Sequence, residues 1–304
     1  MSYKYWIYGL NIESELEMPE AYERDFSCEP DVRIVFGELP EEVLEMHPER
    51  GQGDNLCAFS KESVAFRVPD VADFCVFKDK ITVKIFDGAP PLYPPSIVLG
   101  TCLGHCMLLR KKVVFHGGGI FKDGKGVIVT GESGAGKSTV TDALLSDGFS
   151  FIADDVCAVT LNEGSTHLDM AYPQQKLCRD AAIKRGYDLS ELIYINEDRD
   201  KFAVRLKDGF MPDGADLNYI FEIALSESDE LSFRKVTGQE KLMLLMRNIY
   251  IGDMGFYLWG VPPEYMKYCL KVASGIEVYQ ISRPKNKDTL QDIVKFIEGT
   301  VKGE

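Results

Sequence analysis

The sequence predicts an α/β protein in which a phosphate-loop core follows an N-terminal, mostly β module. Three observations carry that expectation. A short apolar run, Val127-Ile128-Val129, feeds Gly131-Glu132-Ser133-Gly134-Ala135-Gly136-Lys137-Ser138, which fits G-x-x-x-x-G-K-[ST] at every position and opens a helix-like stretch. A second apolar run, Phe149–Ala153, leads to Asp154-Asp155. Upstream, short strand-like runs and turns extend through residue 95 without recognisable chemistry. The 304 residues therefore divide into a β-rich module, 1–95, offering an extra docking surface, and a phosphate-loop domain, 96–304.

Taken in order, Tyr3, Tyr5 and Ile7 alternate with Lys4, Trp6 and Tyr8, a strand pattern. Acidic residues crowd Glu13–Asp31 and Glu38–Glu49, as in solvated loops or helix faces. Arg33–Phe36 and Ser63–Val68 read as strands, and Phe74–Phe77 with Ile81–Phe86 as a hairpin around Lys78-Asp79-Lys80. Ala89-Pro90-Pro91 through Pro94-Pro95 is a linker-like break. Ser96–Arg110 is apolar and of helix length. Val113–His116 is a strand, and Gly117-Gly118-Gly119 after it reads as a tight bulge or a second loop near a ligand. Alone, His116 reads as a packed strand histidine before a catalytic one. Lys122-Asp123-Gly124-Lys125-Gly126 is a hairpin turn back to the strand that feeds the glycine loop.

The loop composition follows from what a phosphate needs. Converging backbone N–H groups require positive φ and close approach, which Gly131, Gly134 and Gly136 allow. A helix starting near Lys137 adds its N-terminal dipole and unsatisfied donors. Lys137 supplies a point charge to the outer phosphates, and the Ser138 hydroxyl suits Mg²⁺, an oxygen-seeking ion. Val140, Ala143 and Leu144 give the helix an apolar face, and Gly148 a stop. Asp154 and Asp155 are expected at the carboxyl end of the next strand, where ligands of open α/β sheets gather. One carboxylate can hold Mg²⁺ with Ser138 and the other can take a proton from an attacking hydroxyl.

Downstream, Val156–Leu161 and Leu168–Ala171 flank a Glu163-Gly164 turn. Gln174–Arg185 reads as a helix closed by Gly186, and Lys201–Leu206 as a strand with Lys201 and Arg205 on one face. Tyr219–Leu225 and Ser232–Val236 are further strands. Thr237-Gly238-Gln239-Glu240 reads as a capping box opening the helix Lys241–Asn248, with Arg247 a weak candidate for reaching phosphates in trans. Glu264–Ala273, Glu277–Ser282 and Asp288–Glu298 read as helix, strand and helix.

Composition excludes several classes. Forty-eight acidic against 34 basic residues give a net charge of −14, which opposes non-specific nucleic-acid binding and docking on an anionic membrane. No apolar run reaches the ~18 residues of a membrane span. The N-terminus lacks a charged region followed by an apolar block, so the expected location is cytoplasmic. The eight cysteines are then reduced core thiols, and Cys102, His105 and Cys106 core packing before a metal site.

His116-Gly117, Gly131–Ser138 and Ala153-Asp154-Asp155 together resemble the core of the HPr kinase/phosphorylase family. In that family a His-Gly pair precedes the loop strand and an Asp-Asp pair follows the loop helix. The likeness runs from Val113 to Thr160, and Asp154 stands 17 positions after Lys137, closer than ordinary P-loop kinases and GTPases place their metal aspartate. The wider chain is similar to a divergent branch of HPr-kinase-like serine kinases. Some of these accompany gene clusters for ribosomally made peptides, lasso peptides included, and phosphorylate the precursor. Tyr8-Gly9-Leu10, Pro19-Glu20, Leu108-Leu109-Arg110, Tyr172-Pro173 with Lys176-Leu177, and Lys201-Phe202 carry that second likeness. The chain departs from the family in lacking the downstream Arg-Gly-rich stretch and in having Thr139 where Glu is common.

The resemblance implies a kinase core of the HPr kinase/phosphoenolpyruvate carboxykinase type that uses ATP and Mg²⁺. The nucleotide would lie on Gly131, Glu132, Ser133, Gly134, Ala135, Gly136, Lys137, Ser138 and Thr139. Lys137 would hold the β- and γ-phosphates, Ser138 and Asp155 the metal, and Asp154 would be the general base toward a serine hydroxyl. His116 would support Asp154 or the transferring phosphate. The expected partner is a protein or peptide carrying a serine, with a homo-oligomer compatible. A small-molecule alcohol kinase and a nucleotide-binding regulator without phosphotransfer are the alternatives. The complete set Lys137, Ser138, Asp154 and Asp155 argues against the regulator.

Overall fold

Apolar runs and turn residues build a mixed α/β protein, with three sheets among the described residues. The computed structural model describes residues 2–45, 56–195, 200–206 and 208–304. The chain divides into two compact units, Met1–Lys112 with Asp253–Val261, and Val113–Gly252 with Pro262–Glu304. No helix of the described residues is long and apolar enough to cross a membrane.

In the first unit, β1 (Tyr3–Ile7), β2 (Leu10–Ser14), β3 (Val32–Phe36), helix α1 (Glu41–Glu45), β4 (Cys57–Phe59), β5 (Val64–Val68), β6 (Ala72–Val76) and β7 (Lys80–Ile85) follow one another. The strands form one sheet in the order β1-β2-β3-β7-β6-β5-β4. Tyr8 (φ 54) and Gly9 (φ 70) join β1 to β2 in the left-handed backbone that two-residue hairpins require. All pairs are antiparallel except β2–β3 and β3–β7. β6 is buried at all five positions, as a central strand covered on both faces must be.

The expected linker at the prolines is instead the start of a helix. Pro94 and Pro95 sit in the first turn of α2 (Tyr93–Ile97), where a missing N–H costs no hydrogen bond. α2 passes through a π-helical turn, Val98–Cys102, into α3 (Leu103–Leu109). Burial pushes the Cys106 thiol up to about 12 and Cys102 well above its usual value, so both are inert core groups. His105 Nδ1 lies 2.8 Å from the Thr101 carbonyl and its ring packs on Phe66. Cys28, Cys57 and Cys178 are exposed rather than in the core.

The second unit opens with β8 (Val113–Lys122), β9 (Lys125–Gly131), α4 (Lys137–Ser146), β10 (Ser150–Asn162) and β11 (Ser165–Leu168). β12 (Gln174–Cys178), α5 (Arg179–Lys184), β13 (Ile193–Ile195) and β14 (Lys201–Arg205) follow, then β15 (Ala215–Ser226), β16 (Ser232–Val236) and α6 (Gly238–Arg247). α7 (Gly252–Trp259) carries the chain into the first unit, and α8 (Pro263–Gly275), β17 (Glu277–Pro284) and α9 (Leu290–Lys302) complete the second. The main sheet has the order β11-β10-β8-β9-β15-β17-β16, and β11 also pairs with β15. β9–β15 and β15–β17 are parallel. Val127 and Val129 of β9, Phe221 of β15 and Ile281 of β17 pack with Val140 and Leu144 of α4 and with Ile293 and Ile297 of α9 in one core.

Four local expectations are corrected here. Gly117–Gly119 are interior to β8 rather than a loop, with β10 and β9 paired on either side, and the irregularity in this pairing falls on β10, between Phe151 and Ala153, opposite Ile120 and Gly119. Asp154-Asp155 lie mid-strand, since β10 continues to Asn162. Gln174–Cys178 is a strand of the small sheet β12-β14-β13, and only Arg179–Lys184 is helical. Pairing with β14 buries Gln174, Gln175 and Leu177, and tertiary context overrides helix propensity. Thr237 stands at the N-cap of α6, but its side chain makes no cap hydrogen bond and no capping box forms; Arg234 takes both Glu240 oxygens instead. The Lys201 side chain, singled out with Arg205, is outside the described part of that residue.

Candidate active site

β9 ends on Gly131, whose φ of 137 and whose position leave no room for a side chain. A Cβ there would stand 2.2 Å from the Ile223 carbonyl oxygen. The chain then turns through Gly134 (φ 83) and Gly136 (φ 105) before α4 begins at Lys137. Gly136 is the N-cap and supplies no side-chain acceptor to the first turn of α4. Lys137 Nζ donates to the Gly131 carbonyl at 2.7 Å and to that of Glu132 at 3.1 Å, lying along the loop it belongs to. Ala135 is fully buried beneath the loop.

The aspartate pair belongs to the same sheet. Asp155, Gly117 and Thr130 share one row across β10, β8 and β9, and Asp154, Gly118 and Val129 share the next. Only glycine stands between the aspartates and the strand that feeds the loop. Asp155 has φ 63, a left-handed backbone in the middle of a strand, which breaks the alternation of side chains between faces. Both carboxylates consequently meet Lys176 of β12. Asp154 Oδ2 accepts its backbone N–H at 2.8 Å, and Asp155 Oδ2 lies 3.5 Å from its Nζ. His116 reaches the pair at the Asp155 carbonyl, 3.2 Å from Nδ1, with its ring tilted against Tyr250. Burial, with Asp154 and Asp155 nearby, pushes the Cys157 thiol far up, so it is no nucleophile.

Beneath the loop lies a buried polar network that no sequence motif announces. Glu222 of β15 pairs in register with Thr130 of β9 and is 4% exposed. It accepts two bonds from Arg247, one from Asn248 Nδ2 at 2.7 Å and one from Gln280 Nε2 at 2.8 Å. Burial alone would raise its pKa, but these hydrogen bonds outweigh burial and hold it below the ordinary value. The Asn248 carbonyl accepts the His116 N–H at 2.9 Å, and the Thr130 hydroxyl lies 2.6 Å from the His116 carbonyl and 3.0 Å from Asn248 Oδ1. Arg247 is thus held in its own chain by Glu222. A lone glutamate inside the apolar run Tyr219–Leu225 is the one sequence signal for this cluster.

The residues fit Mg²⁺ and a nucleotide in chemistry. Two carboxylates and one hydroxyl are hard oxygen donors, and Mg²⁺ keeps waters and substrate phosphates as its remaining ligands. Among the described residues no three His, Cys, Asp or Glu side chains converge on a metal position. At Gly134 nothing lies within 4 Å of where a Cβ would stand, so the surface of the loop is open there.

No family model matches the chain, and no curated protein matches it. Among solved structures the chain has a weak, fold-level likeness to the Hpr(Ser) kinase/phosphatase from Coxiella burnetii, at 15% identity and a TM-score of 0.32, covering 63% of this chain and 95% of that one.

Proposed function

We propose that the protein is an ATP-dependent phosphotransferase that moves the γ-phosphate to a serine-type hydroxyl of a protein or peptide. One observation carries this reading. The strand that feeds a glycine loop ending in Lys137-Ser138 and the strand that carries a carboxylate pair held by Lys176 lie in one sheet, separated by a strand that is glycine at the intervening positions. The loop donors and Lys137 hold the triphosphate. Ser138 and Asp155 would hold Mg²⁺, which would supply charge neutralisation to the phosphates. Asp154, fixed by the Lys176 N–H, takes the proton of the acceptor hydroxyl as its oxygen bonds to the γ-phosphorus and the bond to ADP breaks. Catalysis is then positioning and electrostatics.

Calorimetric titration with Mg·ATP, paired with a labelled-ATP assay against serine-bearing peptides and small alcohols, tests it. Lys137→Ala is expected to weaken ATP binding by on the order of tenfold or more, the loss of one charge-assisted contact. Asp154→Asn is expected to keep ATP binding and lose about 10²–10⁴ in phosphotransfer, the usual contribution of a general base. Unchanged ATP affinity in Lys137→Ala refutes the loop assignment, and near-native turnover in Asp154→Asn refutes the base. Label on alcohols alone shifts the acceptor to small molecules.

A further inference from the structure

We infer that Arg283 is a positioning residue that sets the phosphate loop for its ligand by holding the Ala135–Gly136 peptide, an inference that rests on the nucleotide-binding reading above. β9, β15 and β17 run parallel, and Gly131, Ile223 and Ile281 form one row. Arg283 lies two residues beyond that row, about 6.6 Å further along at ~3.3 Å per residue, where the loop has already left the sheet. Its Nε donates to the Ala135 carbonyl at 2.8 Å, and Nε and Nη2 lie 3.6 Å from where a Cβ would stand on Gly136. Among the described residues its other hydrogen bond goes to the Pro284 carbonyl, 3.4 Å from Nη1. Among the described residues no carboxylate lies within 4.0 Å of this guanidinium, in a chain with 48 acidic residues. A half-buried arginine with backbone carbonyls as its partners is there for the backbone.

The consequence follows from peptide geometry. A trans peptide is planar, with its C=O and N–H pointing opposite ways. With the Ala135 oxygen held toward Arg283, the Gly136 N–H is turned away from it, and among the described residues that N–H has no protein acceptor. The unpaired donor directly precedes Lys137 and the start of α4. A flip of this one peptide would exchange a donor for a carbonyl oxygen at the place where an anion must sit. Gly136, at φ 105, does not resist such a flip as a residue with a Cβ would. Arg283 supplies the missing restraint.

The test is Mg·ATP and adenosine titration of the full chain as wild type, Arg283→Ala, Arg283→Lys, Arg283→Gln and Lys137→Ala, with thermal unfolding of each. Arg283→Ala is expected to weaken Mg·ATP by on the order of tenfold, about one hydrogen bond to an anion, while adenosine affinity stays as in wild type. Arg283→Lys, whose ammonium can still donate to Ala135, recovers most of the loss, and Arg283→Gln less. If Arg283→Ala does not fold, the Lys and Gln pair decides: equal ATP affinity in the two overturns the inference. It is also overturned if Arg283→Ala binds Mg·ATP like wild type while Lys137→Ala does not, or if ATP and adenosine weaken together. A wild type that binds no Mg·ATP refutes the nucleotide reading itself, and the Arg283 role falls with it.

Discussion

At Asp155 an L-residue holds a left-handed backbone, φ 63, inside a thirteen-residue strand. Such a conformation costs roughly 1–2 kcal/mol and persists where the surroundings over-determine it. Gly117 beside it on β8 and Lys176 against its carboxylate are those surroundings. Asp155→Gly is accordingly expected to be more stable than Asp155→Ala by about 1 kcal/mol, since both lose the carboxylate and only glycine relieves the backbone. Urea unfolding of the two variants measures the difference, and equal midpoints would show that the backbone there is unstrained. The aspartate pair is legible in the sequence because two adjacent acids after an apolar run are conspicuous. Its mid-strand place is not, because nothing local says that β10 continues. Lys176 and Arg283 are invisible as partners for a different reason: each acts across strands on groups far away in sequence, one on carboxylates and the other on a carbonyl.

Among the elements, β15 joins packing to the site. Its apolar residues fill the core under α4 and α9, while Glu222, in register with Thr130, gathers Arg247, Asn248 and Gln280. Those bonds hold the folded-state pKa of Glu222 below 4.5, so the unfolded chain binds this proton more readily than the folded one. Its stabilisation is complete above pH 4.5 and fades as pH falls through the lowered folded value. Thermal unfolding of wild type and Glu222→Gln should therefore diverge most at neutral pH and converge in acid. A gap that stays constant on acidification would remove Glu222 from the pH-dependent stability. The glycine loop, its strand and its helix are all legible, because a hydrophobic run, a glycine-rich turn and a helical period fall together between Val127 and Leu144. β12 is not, because Gln174–Cys178 has no strand-forming alternation and becomes extended through pairing with β14. The prolines in the first turn of α2 mislead in the opposite direction, since the same residues break a helix interior and are tolerated at a helix start.

On the scale of the whole molecule, the chain leaves its second unit at Gly252, places Asp253–Val261 in the first, and returns at Pro262. Gly255 of that excursion sits so close to Leu108 that a Cβ would fall 2.7 Å from Leu108 Cδ1. The first unit is thus assembled from two stretches far apart in sequence. Residues 1–112 alone are expected to unfold at lower temperature than the same segment with 253–261 appended by a flexible linker. Equal melting temperatures would mean that the helix contributes nothing to that unit. No sequence period announces this exchange, because Gly252–Trp259 is a short apolar helix and nothing local says where it docks. The excursion also orders events during synthesis. A ribosome releases residues 1–112 well before the closing helix of the same unit exists. By the time Val261 emerges, strands β8 to β16 are already outside, so the unit begun before them is finished after them.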